Sequence, residues 1–163
     1  MHRLEYFPIG IIHTTFKTPE GTPIQPSGAR DHEAEIEIFA DFVEGLADLE
    51  GFSHIILLYH FHLSKKFSLK VKPFLDDTPH GLFATRAPAR PNPIGFSVVR
   101  LIAVKGNLIR IKDADVVDGT PLLDIKPYVP DFDAHAVVRI GWLEKKSKNA
   151  GKTMADRRFS RRT

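Results

Sequence analysis

Glutamate alternates with apolar residues over residues 33–38, which puts Ala34, Ile36 and Ile38 on one face and Glu33, Glu35 and Glu37 on the other. A period of two marks a strand with one wet face. Residues 67–72 repeat the pattern, with Lys70 and Lys72 outward. Residues 54–61 (HIILLYHF) are nearly all apolar, and their β-branched and aromatic content predicts a buried strand. Segments 96–104 and 108–111 predict a pair of strands around Lys105-Gly106-Asn107, a tight hairpin turn. Residues 6–12, 122–128 and 136–142 bring the set to about eight short strands. Only residues 41–49 carry a helical pattern. Phe42, Val43, Leu46 and Leu49 share a face there, Asp41 is placed to cap the start, and Gly51 follows the end. Gly45 weakens that helix by about 1 kcal/mol relative to alanine.

Short strands at this spacing, with no βαβ rhythm, predict a mainly β fold: a small single-domain barrel or sandwich with one or a few short helices. Apolar periodicity then stops, dividing the chain into a β domain, 1–143, and a tail, 144–163, that is flexible or ordered by a partner. The tail holds eight Lys or Arg against Glu144 and Asp156, a charge of +6, while the whole chain carries +3, so the remainder stands at −3. A basic tail on a mildly acidic body is one pattern of nucleic-acid contact, and equally of a solubilising end. The 163 residues contain no cysteine, which removes disulfides, thiolate zinc sites and a cysteine nucleophile, and fits an intracellular protein. No apolar run is long enough to span a bilayer, no secretory leader opens the chain, and no P-loop, Rossmann or Gly-x-Ser-x-Gly pattern occurs.

Candidate chemistry gathers in segments dense in proline and glycine, whose restricted backbones hold polar groups in fixed places. Residues 15–27 (TFKTPEGTPIQPS) form a long shaped loop in which Gln25 and backbone groups face a polar ligand. Residues 83–97 (FATRAPARPNPIGFS) present Arg86 and Arg90, planar cations suited to carboxylate or phosphate, with Asn92 beside them. Residues 118–130 (DGTPLLDIKPYVP) open on a turn. They alternate Asp124, Lys126 and Tyr128 onto one face, either a salt-bridged structural cluster or an acid/base site. His60 and His62 share a strand face. They lack a third ligand at a recognisable spacing, so a hydrogen-bonding role is favoured over a metal site.

The segments PIGIIHTTFKTPEGTPIQPS, GFSHIILLYHFH, GLFATRAPARPNPIGFSVVRL and DVVDGTPLLDIKPYVP, in this order over residues 5–133, closely resemble the TrmO (TsaA-like) family. The resemblance implies a small β-barrel and a cytoplasmic homodimer with sites near the subunit interface. It also implies S-adenosylmethionine-dependent methylation, without metal or membrane, of N6-threonylcarbamoyladenosine at position 37 of tRNA. By motif, the methyl-donor pocket takes Gln25, Pro26, Ser27, His62, Leu63, Arg86, Phe96, Asp118, Gly119, Thr120 and Pro121. Many bacterial members carry a further C-terminal domain where this chain has its basic tail. An acceptor nitrogen between a carbonyl and an aromatic ring reacts only as its proton leaves, so a general base is expected. Asp118 or Asp124 is the candidate, with Lys126 and Tyr128 orienting the group. Arg90 and Asn92 are the candidates for the threonyl carboxylate. Phe61, Phe74, Phe83 and, above all, Tyr128 are candidates to stack on the base. The rival readings are a non-catalytic nucleotide- or RNA-binding barrel, a methyltransferase with another acceptor, and a metal-dependent hydrolase.

Overall fold

A computed structural model describes residues 4–159 apart from 65, 138 and 145. In chain order the strands are β1 (Gly10–His13), β2 (Glu33–Ile38), β3 (His54–His60), β4 (Lys70–Val71), β5 (His80–Gly81), β6 (Ile94–Lys105), β7 (Leu108–Lys112) and β8 (Thr120–Pro127). Six of them close into an antiparallel barrel in the order β1-β2-β7-β6-β3-β8, and β4 pairs with β5 outside it. The alternation read over residues 33–38 sets the register: Ile36 and Ile38 are buried inside with Ile12, Ile55, Leu57 and Ile109. Each such side chain contributes about 1.5–3 kcal/mol on burial. Slipping β2 by one residue would turn its glutamates inward.

The hairpin forms as expected, with Lys105 opposite Leu108 and the two-residue loop Gly106-Asn107. Gly106 has φ +60°, the requirement of a type II′ turn at its first central position. Strand β3 differs from a wholly buried segment: Ile55, Leu57 and Tyr59 are buried, whereas Ile56, Leu58 and His60 are half-buried on the outer face.

Four expectations are corrected. Residues 41–49 do not form an α-helix. They form 3-10 turns at Ala40–Leu46 and Leu49–Gly51, separated by Asp48 at φ +65°. Asp41 makes no capping hydrogen bond, Phe42 is exposed, and Val43, Leu46 and Leu49 pack on the core. Their spacing of three matches three residues per turn, where i and i+3 eclipse. Residues 136–142 are not a strand, because β8 already lies between β1 and β3 and a closed barrel offers no edge; Gly141–Leu143 is a 3-10 turn instead. Residue 138 of that segment lies outside the described residues. The first strand begins only at Gly10, since Pro8 has no N–H to donate to a ladder, and the 67–72 strand shrinks to the two residues that find a partner in β5.

Closure depends on a close approach. A Cβ at Gly10 would lie 2.3 Å from the Glu37 carbonyl oxygen, so β1 reaches β2 because nothing projects there. Midway along β6, Arg100 clamps the barrel. Its Nε donates to Asp113 Oδ2 (2.5 Å), and its Nη2 donates to Asp113 Oδ1 (2.9 Å) and Asp31 Oδ1 (2.5 Å). Both carboxyls are held below the usual aspartate range, chiefly by these bonds. A depressed folded-state pKa stabilises above the ordinary value of 3.8 and stops doing so as pH falls through the folded value. Arg100→Gln is therefore expected to lower the urea midpoint at pH 7, with the deficit narrowing once the pH drops well under 3.8. A deficit that does not change with pH would show that the guanidinium acts through packing alone.

Candidate active site

Strand β3 ends where β6 and β8 begin, and at that mouth of the barrel the loops wall a cavity of about 790 Å³. Its lining is largely apolar, with Phe61, Leu63, Phe83 and Phe96, and its polar members include Gln25, His62, Arg86, Arg90, Asp115 and Thr120. Size and lining are those of a small-molecule site.

Each loop places its residue by a traceable contact. The 15–27 loop reaches the cavity through Gln25, whose Oε1 accepts from Arg86 Nη1 (2.9 Å), joining two motifs 61 residues apart. Pro26 and Ser27 belong to the 3-10 turn Pro26–Gly28 behind Gln25, and Ser27 lies against Gly151. β3 stops at His60, so His62 does not share its strand face; His62 sits in the following turn, its N–H donated to the His60 carbonyl (2.8 Å). Burial, with His60 nearby, holds the His62 imidazole below its ordinary range and so favours the neutral ring. Among the described residues no three His, Asp or Glu gather into a possible metal site. Arg90 Nη1 donates to the carbonyls of Thr85 (2.9 Å) and Ala87 (3.4 Å), and its guanidinium lies 5.8 Å from the Phe83 ring. Asn92 is exposed beside the rim, its carbonyl accepting from Ile94 N–H.

The turn before β8 splits. Thr120 faces the cavity and donates through Oγ1 to the Val117 carbonyl (2.6 Å). Asp118 turns to the first loop, accepting from Thr14 N–H (2.9 Å) and Lys17 Nζ (2.7 Å). Lys17 first, then that N–H, hold its carboxyl below the usual range, the reverse of a base poised near neutrality. Gly119, at φ +74°, donates to the Ile12 carbonyl, and Pro121 lies opposite Ile11 in the β1–β8 ladder. Asp124, Lys126 and Tyr128 are not brought to the cavity. Lys126 pairs with Asp124 (2.6 Å), and Tyr128 meets the His54 ring edge-on (6.4 Å) at the other end of β3. Along a strand, residues 122 and 128 stand about 20 Å apart.

The sequence reading missed a buried polar chain. Tyr59 OH lies 3.0 Å from Ser97 Oγ, which donates to Asp115 Oδ1 at 2.6 Å. Tyr59 fits only because Gly95 has no side chain, since a Cβ there would come 2.1 Å from the ring. Tyr59 lies in the 54–61 stretch that reads as a buried strand, and Ser97 closes the 83–97 segment, where the arginines carry the signal. Asp115, between the buried Ala114 and Val116, belongs to no loop or alternation pattern that marks it in the sequence. Desolvation pushes the Asp115 carboxyl up to about 6, opposed by the Ser97 bond.

The tail is the second surprise, because its own chain orders it over residues 146–159. Pro23 bridges Met154 and the Gly21 N–H donates to the Ala155 carbonyl (2.8 Å). Arg158 donates to the Pro73 carbonyl (2.6 Å), and Phe159 meets Phe74 edge-on at 5.1 Å. Just upstream, Trp142 stacks on His80 (4.4 Å) and donates to the Ala84 carbonyl (2.8 Å), and at the start of the span Lys146 pairs with Asp76 (2.5 Å). Trp142, Ala155 and Phe159 thereby form a wall of the cavity. Residues 160–163 lie outside the described residues.

The profile of the tRNA-methyltransferase O N-terminal domain matches residues 11–134. The chain belongs to the TrmO N-terminal domain family. A probable S-adenosyl-L-methionine-binding protein of Pyrococcus abyssi is 60% identical over 94% of this chain and 84% of its own length. The human tRNA (adenine(37)-N6)-methyltransferase is 38% identical over 78% of this chain, which spans 30% of that protein. A crystal structure of TrmO from Pseudomonas aeruginosa superposes with a TM-score of 0.72 at 39% identity, covering 86% of this chain and 63% of that one. The tail wall lies beyond the residues the family profile matches.

Because the Asp115 carboxyl is raised in the folded state, its ionisation costs stability. The cost is absent below the ordinary 3.8, grows between 3.8 and about 6, and is complete above about 6. Asp115→Asn is thus expected to be as stable as the parent at pH 3.5 and more stable at pH 7.5, on the order of 1–3 kcal/mol. Urea unfolding at the two pH values checks this; equal stability at pH 7.5 would mean the carboxylate is solvated.

Proposed function

We propose that this chain transfers a methyl group from S-adenosylmethionine to N6 of adenosine 37 in tRNA, with the threonylcarbamoyl-modified nucleoside as acceptor. The observation that carries the reading is one cavity collecting Gln25, His62, Leu63, Arg86, Phe96 and Thr120, from four separate segments that all lie within the family-matched residues 11–134. The cavity suits such a donor. Aromatic and aliphatic walls take an adenine and a thioether-like chain, and Gln25 and Arg86 offer groups for ribose and carboxylate. Pro26, Ser27 and Gly119 back those groups. When bound, the cofactor supplies a methyl group on a sulfonium, which requires no metal.

The chain's own residues align the acceptor and exclude water. Arg90, anchored through its own loop, and Asn92 at the rim take the carboxylate of the threonyl group. Activity on tRNA supports a cytoplasmic location. We further propose a homodimer. Leu58 pairs with Phe96 and Ile56 with Val98, so their side chains share the outer face of β3 and β6, where Ile94 and Phe96 are exposed at the cavity's edge. Phe96 joins that face to the site, so a partner subunit would meet the cavity rim. Light scattering is expected to give twice 18.4 kDa; the monomer mass would remove this part of the reading.

The deciding assay is methyl transfer from labelled S-adenosylmethionine to tRNA with and without threonylcarbamoyladenosine. Transfer confined to the modified tRNA is expected. Cofactor binding without transfer to either would leave a non-catalytic binding module. Trp142→Ala, which opens the tail wall, is expected to weaken cofactor affinity about tenfold, or 1.4 kcal/mol, by calorimetry. Unchanged affinity would show that the wall does not contact the cofactor.

A further inference from the structure

Two carboxylates line the cavity among the described residues. Asp156 sits on the tail, bonded by the Arg158 guanidinium at 2.9 and 3.0 Å. Asp115 sits in the link between β7 and β8, against the barrel mouth, and its partners are directional. Ser97 Oγ has one proton and donates it to Asp115 at 2.6 Å. The Tyr59 hydroxyl, 3.0 Å from Ser97 Oγ, must then be the donor in that contact. Burial pushes the Tyr59 phenol upward, so it keeps its proton across the working range. Both O–H groups point along the chain toward Asp115, an arrangement that terminates on an unprotonated carboxylate. No fold requirement explains it, since the ionised group costs stability at neutral pH. Groups shifted by burial and set in a cleft concentrate at functional sites, and here the hydrogen-bond chain aims at the cavity wall.

We propose that Asp115 is the proton acceptor of the methyl-transfer reaction, a catalytic residue that takes the proton from the acceptor N6–H. The proposal rests on the methyltransferase reading above. As the N6–CH3 bond forms and the S–CH3 bond breaks, the N6–H bond breaks and its electron pair stays on nitrogen. The proton passes to Asp115 and then to water. The thioether product leaves uncharged, and the balance needs no oxidant, reductant or second substrate. At neutral pH the carboxylate is ionised, and it is more basic than an exposed aspartate because burial has raised it to about 6. The groups that face it are few. Tyr59 on β3 stays neutral. Arg86, from the loop after β5, donates to Gln25 and lowers the Asp115 carboxyl by its charge. His62 and Arg90 also stand in the cavity wall.

The test uses the full chain, single-turnover methyl transfer to modified tRNA from pH 5 to 9, cofactor affinity by calorimetry, and carboxyl-carbon NMR of the free protein. The parent is expected to show a rate limb with a midpoint near 6, matched by one carboxyl resonance titrating there. Asp115→Asn should lose that resonance and that limb and fall by about 10²–10⁴ in rate. Its cofactor affinity should stay within about twofold, separating a proton acceptor from a residue that holds the ligand. Ser97→Ala removes the bond that lowers the carboxyl, so resonance and limb should move together to higher pH. A limb that survives in Asp115→Asn, parental activity in that variant, or loss of its cofactor binding would each overturn the assignment. If the parent binds cofactor but methylates neither tRNA, the methyltransferase reading falls and takes this proposal with it.

Discussion

Everything at the cavity depends on the barrel closing through a strand of only four residues. β1 pairs with β2 on one side and β8 on the other, and the first of its residues, Gly10, meets β2 at a distance no side chain would permit. With that seam sealed, six strands leave no edge, and the connections at one mouth converge from well-separated parts of the chain. Gln25 and Arg86 touch because the barrel brings their loops to the same rim. The site is thus a product of closure, as much as of the residues in it.

The same mouth holds the tension between stability and chemistry. A second missing side chain, at Gly95, admits the Tyr59 ring into the inner face of the barrel, and the ring brings its hydroxyl to Ser97. The aromatic body belongs to the apolar core and its polar tip to the cavity. Tyr59 therefore couples core packing to the state of Asp115, with one foot in each.

Much of this was legible in the sequence wherever one local rule decided the outcome. Alternation gave β2 and its register, Gly106 gave the hairpin, and the proline-rich motifs gave the walls at Gln25, Arg86 and Thr120. The sequence reading failed where tertiary context decides. Residues 136–142 have the composition of a strand, but strand formation requires a vacant edge, and closure removed it. Val43, Leu46 and Leu49 fit a helix of either pitch, and spacing alone did not separate them. Alternation of Asp124, Lys126 and Tyr128 placed them on one face without saying at which end of the barrel. Asp115 was the hardest to see, because its importance comes from Ser97, 18 residues away, and from the depth at which the two meet.

The tail's position has a thermodynamic corollary. Residues that pin it, such as Pro23, Phe74 and the Ala84 carbonyl, belong to segments that also wall the cavity. Filling the cavity and docking the tail are then linked equilibria. A ligand that touches the wall stabilises the docked tail, and by reciprocity the docked tail tightens the ligand by the same free energy. Polyanions that draw the basic segment away from the barrel would spend that coupling in the opposite direction, loosening the occupant. A stretch that looks in composition like a handle for nucleic acid is, by its placement, also a means for nucleic acid to influence what the cavity holds.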